Sequence, residues 1–135
     1  MALQDSKRRH CLVLSSDLMF GSQAAQAARD AGYEVDTFND AAALVQEIGL
    51  SHASAQSTDI VDSQECLVLI DLTMPSLDAQ QLAQQLQQTP ATMPPRLVAV
   101  GPHVHQTRLE AARDAGWQVY TRGQFHAQGA RLLAG

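Results

Sequence analysis

The sequence predicts an α/β domain in which a parallel sheet carries helices on both faces. Three observations predict it. Short, wholly apolar runs at residues 11–14 (CLVL), 66–70 (CLVLI) and 97–100 (LVAV) have the length and composition of strands covered on both sides. Segments whose apolar residues recur at helical spacing follow these runs. Gly32 and Gly116 each close such a segment and lead directly into a strand-like stretch, at residues 33–38 and 118–121. Parallel neighbours need crossover connections, and right-handed crossovers place helices on the two sides of the sheet.

Taken in order, the strand at 11–14 gives way to a helix over 18–31, on which Phe20, Ala24, Ala27, Ala28 and Ala31 recur at helical spacing. Gly32 supplies its left-handed stop, and 33–38 is the second strand. Asn39 is placed to cap a helix over 40–49, since its side-chain oxygen can accept first-turn amides. Residues 51–65 are polar and lack a period, which reads as a long surface loop with a short element near Ile60 and Val61. The run 66–70 is the most convincing buried strand; it stops at Asp71, and Pro75 lies in the loop beyond. Leu82 and Leu86 stand on one face of a helix over 78–88 whose glutamines fall largely on the other. Pro90, Pro94 and Pro95 mark a loop, 97–100 a strand, and Gly101 with Pro102 a turn. A helix over 104–115, a strand at 118–121 and a helix over 124–134 complete the chain. One junction occurs twice: AARDAGYEV at 27–35 returns as AARDAGWQV at 111–119, each time at a helix end, a glycine stop and a strand start. Two copies are too few for a solenoid.

A length of 135 residues suits one domain, expected over residues 10–135 behind a tail at 1–9, with a core large enough to need no disulfide or structural metal. The net charge of −5 argues against a nucleic-acid surface, which needs clustered cations; only Lys7, Arg8 and Arg9 cluster, and they read as a solvated tail. Without a membrane-length apolar run or a signal-peptide pattern, the cytoplasm is the expected location and no membrane is a partner. Cys11 and Cys66 are too few for a disulfide framework or zinc site and read as core residues on neighbouring strands. No glycine-rich phosphate loop follows the first strand, and no glycine-flanked serine elbow accompanies Ser15, Ser16 or Ser22.

Two segments carry a family resemblance. LVLIDLTMPSLDA at 67–79 resembles the part of response-regulator receiver domains in which a strand delivers the phospho-accepting aspartate ahead of Met-Pro and Asp-Gly; Asp71, Met74, Pro75 and Asp78 match, with Ala79 in the glycine's place. AGWQVYTRGQF at 115–125 is similar to the receiver segment Ala-Gly-x-x-x-Tyr-x-x-Lys-Pro-Phe. The resemblance covers roughly residues 10–134 and implies a flavodoxin-like three-layer fold, five parallel strands in the order 2-1-3-4-5. It also implies a site at the carboxyl ends of the strands. Phosphoryl transfer to Asp71 would need fixed positive charge, in receivers a magnesium ion held partly by an acidic pair after the first strand. Ser15 and Ser16 stand there instead, with Asp17 just beyond. The hydroxyl expected after the fourth strand falls at Gly101, and the expected lysine at Gly123, with Gln124 replacing proline. Arg122, one residue early, would reach Asp71 from a loop and form a fixed ion pair.

The resemblance, together with these absences, implies a receiver-like protein-interaction module rather than an enzyme, without efficient aspartyl phosphorylation and without a cofactor. Its partner would be a kinase, an output protein or a second copy, since the chain ends just past the last helix. The face formed by the fourth helix, fifth strand and fifth helix, around Trp117, Tyr120 and Phe125, is the expected docking surface. Two alternatives stay open: a phospho-acceptor at Asp71 using magnesium held by Asp17 and Asp71, and a small-molecule or metal sensor at the same edge using His103 and His105.

Overall fold

The apolar runs become the three central strands of one sheet. The computed structural model describes residues 8–47, 64–74, 77–88 and 95–134. Five parallel strands, β1 (Arg8–Leu14), β2 (Glu34–Phe38), β3 (Gln64–Asp71), β4 (Arg96–Gly101) and β5 (Gln118–Thr121), lie in the order β2-β1-β3-β4-β5. The arrangement is α/β and flavodoxin-like. The helices are α1 (Leu18–Asp30), α2 (described over residues 41–47), α3 (Ala79–Gln88), α4 (Gln106–Asp114) and α5 (Arg122–Ala134). The predicted loop over 51–65, apart from the start of β3, lies outside the described residues, as do Ile60, Val61, Pro75, Pro90 and Pro94.

Strand alternation divides the core in two. Cys11, Val13, Leu67, Leu69, Val98 and Val100 pack against α1 and α5 through Phe20, Ala24, Ala28, Phe125 and Leu133. Leu12, Leu14, Val68, Ile70, Leu97 and Ala99 face the other way, against Leu44, Leu82, Leu86, Leu109 and Ala112 of α2, α3 and α4. Each central strand thus buries both faces, which is why its sequence is continuously apolar instead of alternating.

The repeated AARDAG junction is a Schellman motif built twice. Gly32 N–H bonds Arg29 O at 3.0 Å and Tyr33 N–H bonds Ala28 O at 2.9 Å; Gly116 N–H bonds Arg113 O and Trp117 N–H bonds Ala112 O, both at 3.1 Å. The two glycines adopt φ of 96° and 105°, the left-handed region where a Cβ is penalised. The aromatic after each glycine then buries on the strand side, Tyr33 on one face of the sheet and Trp117 on the other.

Several element ends that carry polar residues differ from the sequence expectation, although β5 keeps its expected bounds. β1 begins at Arg8 and β3 at Gln64, because Arg8 pairs with Gln64 and Arg9 with Glu65 before either strand becomes apolar. Arg9 is therefore no tail residue: its guanidinium lies 4.3 Å from the centre of the Tyr33 ring and donates to Ala31 O at 2.9 Å, capping the end of α1. Arg96 does the same for α5, donating to Leu132 O and Leu133 O. α2 is capped by Asp40 and not Asn39, since Asp40 Oδ1 accepts Ala42 N–H at 3.2 Å. α4 starts at residue 106, after a turn in which His105 N–H bonds Pro102 O.

Cys11 and Cys66 sit on neighbouring strands as expected, but Cys66 pairs with His10 and its side chain joins the core opposite to that of Cys11. Burial, and secondarily Cys66, pushes the Cys11 thiol up to about 12; burial pushes Cys66 up to about 11. A thiol whose folded value is raised contributes stability that is full below its unfolded value, about 8.5, and is lost as pH rises toward the folded one. Cys11→Ala is expected to be less stable than the native chain at pH 7, and the gap should narrow by up to about 1.4 kcal/mol per pH unit above pH ~8.5 in urea titrations.

The glycines give a second prediction. A Cβ at Gly116 would meet nothing closer than Gln87 Nε2 at 3.9 Å, so Gly116→Ala reports backbone strain alone and should cost about 1–2 kcal/mol. Gly21, within α1 and with open space around it, should respond oppositely, Gly21→Ala gaining roughly 0.5–1 kcal/mol. Paired urea unfolding curves measure both.

Candidate functional site: a sealed carboxylate at the carboxyl edge

β3 ends by placing Asp71 at the carboxyl edge of the sheet, between the ends of β1 and β4. Its side chain is fully buried, 0% exposed. An unpaired charge in that position would cost several kcal/mol, so its surroundings have to supply donors. Oδ1 accepts Thr73 N–H at 2.9 Å, the Thr73 hydroxyl at 2.7 Å and Arg122 Nη2 at 3.3 Å. Oδ2 accepts the Ser15 hydroxyl at 2.9 Å, with Arg122 Nη2 also 3.5 Å away. A carboxylate offers about four lone-pair positions; three donors converge on Oδ1, and the Ser15 hydroxyl with the longer Arg122 approach engages Oδ2.

Each donor arrives for a local reason. Ser15 follows β1 directly, where its own N–H bonds Phe38 O and its hydroxyl oxygen accepts Asp17 N–H at 3.0 Å. Thr73 stands two residues beyond Asp71, the spacing at which an aspartate closes an Asx turn on its own backbone. The spacing Asp-Leu-Thr is the sequence signal for this turn and for the role of Thr73, which the receiver resemblance does not mark.

Arg122 arrives by helix capping. Residues 122 and 123, expected in a loop ahead of a helix over 124–134, instead open α5, which starts at Arg122. Thr121 and Gln124 form a capping box: Thr121 Oγ1 accepts Gln124 N–H at 3.1 Å and Gln124 Oε1 accepts Thr121 N–H at 2.9 Å. The residue that replaces the expected proline is thus the one that starts the helix early and fixes Arg122 at its first position. The guanidinium then lies 5.0 Å from the centre of the Phe20 ring, which itself packs on Phe125 at 5.8 Å between centroids. Nη2 reaches Asp71, the Thr73 hydroxyl at 3.3 Å and Asp17 Oδ2 at 3.7 Å, while the buried Nε has no acceptor.

Asp17 is the N-cap of α1, Oδ1 accepting Met19 N–H at 2.9 Å and Phe20 N–H at 3.3 Å. The two carboxylates at this edge therefore share one guanidinium. Ser16 is exposed and makes no hydrogen bond to Asp71. Gly101 is buried, and a Cβ there would come within 3.1 Å of Leu72 Cβ and 3.3 Å of Leu109 Cδ2. The place of a hydroxyl after β4 is filled by aliphatic packing. Gly123 is exposed within the first turn of α5.

These residues do not fit a divalent ion. Magnesium needs several oxygen ligands in near-octahedral array, whereas the lone pairs of Asp71 are engaged, one oxygen of Asp17 caps α1, and a positive guanidinium stands between the two carboxylates. His103 and His105 are exposed, and among the described residues no group of three or more His, Cys, Asp or Glu could hold a metal. Of the expected docking residues, Trp117 is 2% exposed with its indole N–H bonded to Ala79 O, and Phe125 is 4% exposed. Both are core, and Tyr120 is half-buried in the α1/α5 layer. A groove of about 550 Å³ between α1 and α5, lined by Gln23, Gln26 and Arg131 among others, lies apart from Asp71.

Fold and site together define a flavodoxin-like α/β domain whose carboxyl edge holds a buried carboxylate sealed by an arginine. No protein family and no curated protein matches the sequence. Among the described residues, no helix is long and apolar enough to cross a membrane.

Removing Arg122 should expose the cost of the buried charge. Arg122→Met keeps the aliphatic stem on Phe20 and is expected to lose roughly 2 kcal/mol, below the ~3–5 of a fully buried pair because the guanidinium side chain is 37% exposed. Combined with Asp71→Asn the losses should be clearly less than additive in urea unfolding, since the second change removes the charge that the first left unpaired.

Proposed function

We propose that this chain is a receiver-like signalling domain that acts through protein contact in the cytoplasm and does not undergo efficient aspartyl phosphorylation. One observation carries the reading: the only buried carboxylate among the described residues, at the strand end where a receiver would carry its phospho-acceptor, is closed by Arg122, Thr73 and Ser15. Phosphoryl transfer needs an available carboxylate oxygen and preorganised positive charge on the transferring group. Here the oxygens are engaged, Ser15 and Ser16 stand where a receiver would carry its acidic pair, and no hydroxyl or lysine stands at Gly101 or Gly123. Loss of one such stabilising group costs roughly two to three orders of magnitude in rate. Several losses together leave an interaction module, and the partner is a protein: a kinase, an output protein or a second copy. The net charge of −5 disfavours nucleic acid.

The test is a titration with magnesium and beryllofluoride followed by amide chemical shifts. No saturable change is expected at residues 71–74, Gly101 or Arg122. Saturable shifts centred on Asp71, abolished by Asp71→Asn, would instead establish a working phospho-acceptor.

A further inference from the structure

We propose that the loop from Asp71 to Met74 is a two-sided clamp through which the Asp71–Arg122 ion pair controls the seating of α4, with Arg108 as the connecting residue. Arg108, in the first turn of α4, donates through Nη1 to Leu72 O and to Met74 O, the latter at 3.3 Å. From the opposite layer, Arg122 of α5 binds the side chains of Asp71 and Thr73. The loop alternates accordingly: side chains 71 and 73 belong to one arginine, carbonyls 72 and 74 to the other.

The intervening backbone has little slack. Leu72 N–H bonds Val100 O at 2.9 Å, Thr73 N–H bonds Asp71 Oδ1, and Met74 N–H bonds Asp71 O at 3.3 Å. Rotation of the Asp71 side chain therefore withdraws an acceptor from the Thr73 N–H, which shares its peptide unit with the Leu72 carbonyl that Arg108 holds, while the second carbonyl Arg108 holds, that of Met74, follows the residue whose N–H bonds Asp71 O. His105 offers no side-chain cap to α4, so the start of this helix is not pinned by a cap of its own. Neutralising Asp71, or drawing Arg122 away, relaxes the loop and loosens α4. The inference goes beyond the functional reading above: it rests on the two arginine contacts and holds whether or not Asp71 accepts a phosphoryl group.

Amide hydrogen exchange of the full chain tests it. Asp71→Asn keeps the shape and removes the charge; protection at Leu109 and Ala112 is expected to fall about tenfold, the loss corresponding to one charge-assisted hydrogen bond. In an Arg108→Met background the same change should alter those amides by less than about twofold, although residues 72–74 still respond. An α4 indifferent to Asp71→Asn, or equally affected with and without Arg108, overturns the proposal. If Asp71→Asn does not fold, Thr73→Val removes one hydroxyl from the carboxylate, keeps the loop amide and is read the same way. Arg108→Gln replaces the methionine variant if that one does not fold.

Discussion

A carboxylate with no solvent contact is the constraint around which the carboxyl edge is organised. Asp71 cannot stay buried on the strength of β3 alone, because an isolated charge there would outweigh much of a domain's marginal stability. Its compensation comes from three different elements: Ser15 after β1, Thr73 in the loop after β3, and Arg122 at the start of α5. The arginine is the most dependent of the three. Its position requires α5 to start at residue 122, which requires the Thr121–Gln124 capping box, which requires β5 to end at Thr121 beside Gly101. Phe20 and Phe125 then support the guanidinium from the α1/α5 core.

Seen from this pair, the departures from a metal-binding pocket have structural uses. Asp17 caps α1 with one oxygen and lies near Arg122 with the other. Ser15 is uncharged, so it can donate to Asp71 where an acidic residue would repel it. Gly101 leaves room for Leu72 and Leu109 to meet over the end of β4. The edge is a closed set of mutually satisfied groups, apart from the orphaned Nε of Arg122.

The fold was legible because its signals are local and apolar. The runs CLVL, CLVLI and LVAV have no alternative to burial on two faces, and the doubled AARDAG sequence announces two Schellman stops. Polar ends were less legible. Arg8, Arg9, Gln64 and Glu65 join strands through backbone pairing, which no side-chain pattern records. Thr73 and Gln124 are legible in principle, as an Asx turn and a capping box, but neither Asp-x-Thr nor Thr-x-x-Gln belongs to the receiver pattern, which at these positions speaks only of a lysine and a proline. Trp117 and Phe125 show a different limit of the sequence. The resemblance implies a docking face around them, whereas the Schellman stop and the helix phase turn both side chains inward.

A switch requires two states separated by no more than a ligand or modification can overcome. For Asp71 to meet a phosphoryl donor, Nη2 of Arg122 must leave both carboxylates and the Thr73 hydroxyl, while the charge it neutralised stays behind. At a cost of roughly 2 kcal/mol the open form would hold a few per cent of the population. The same arginine that would suit a phosphoryl group's oxygens is the one that must first move aside. On the proposed reading, the edge therefore presents one settled surface to its partner, and what varies in the cell is whether the partner is there.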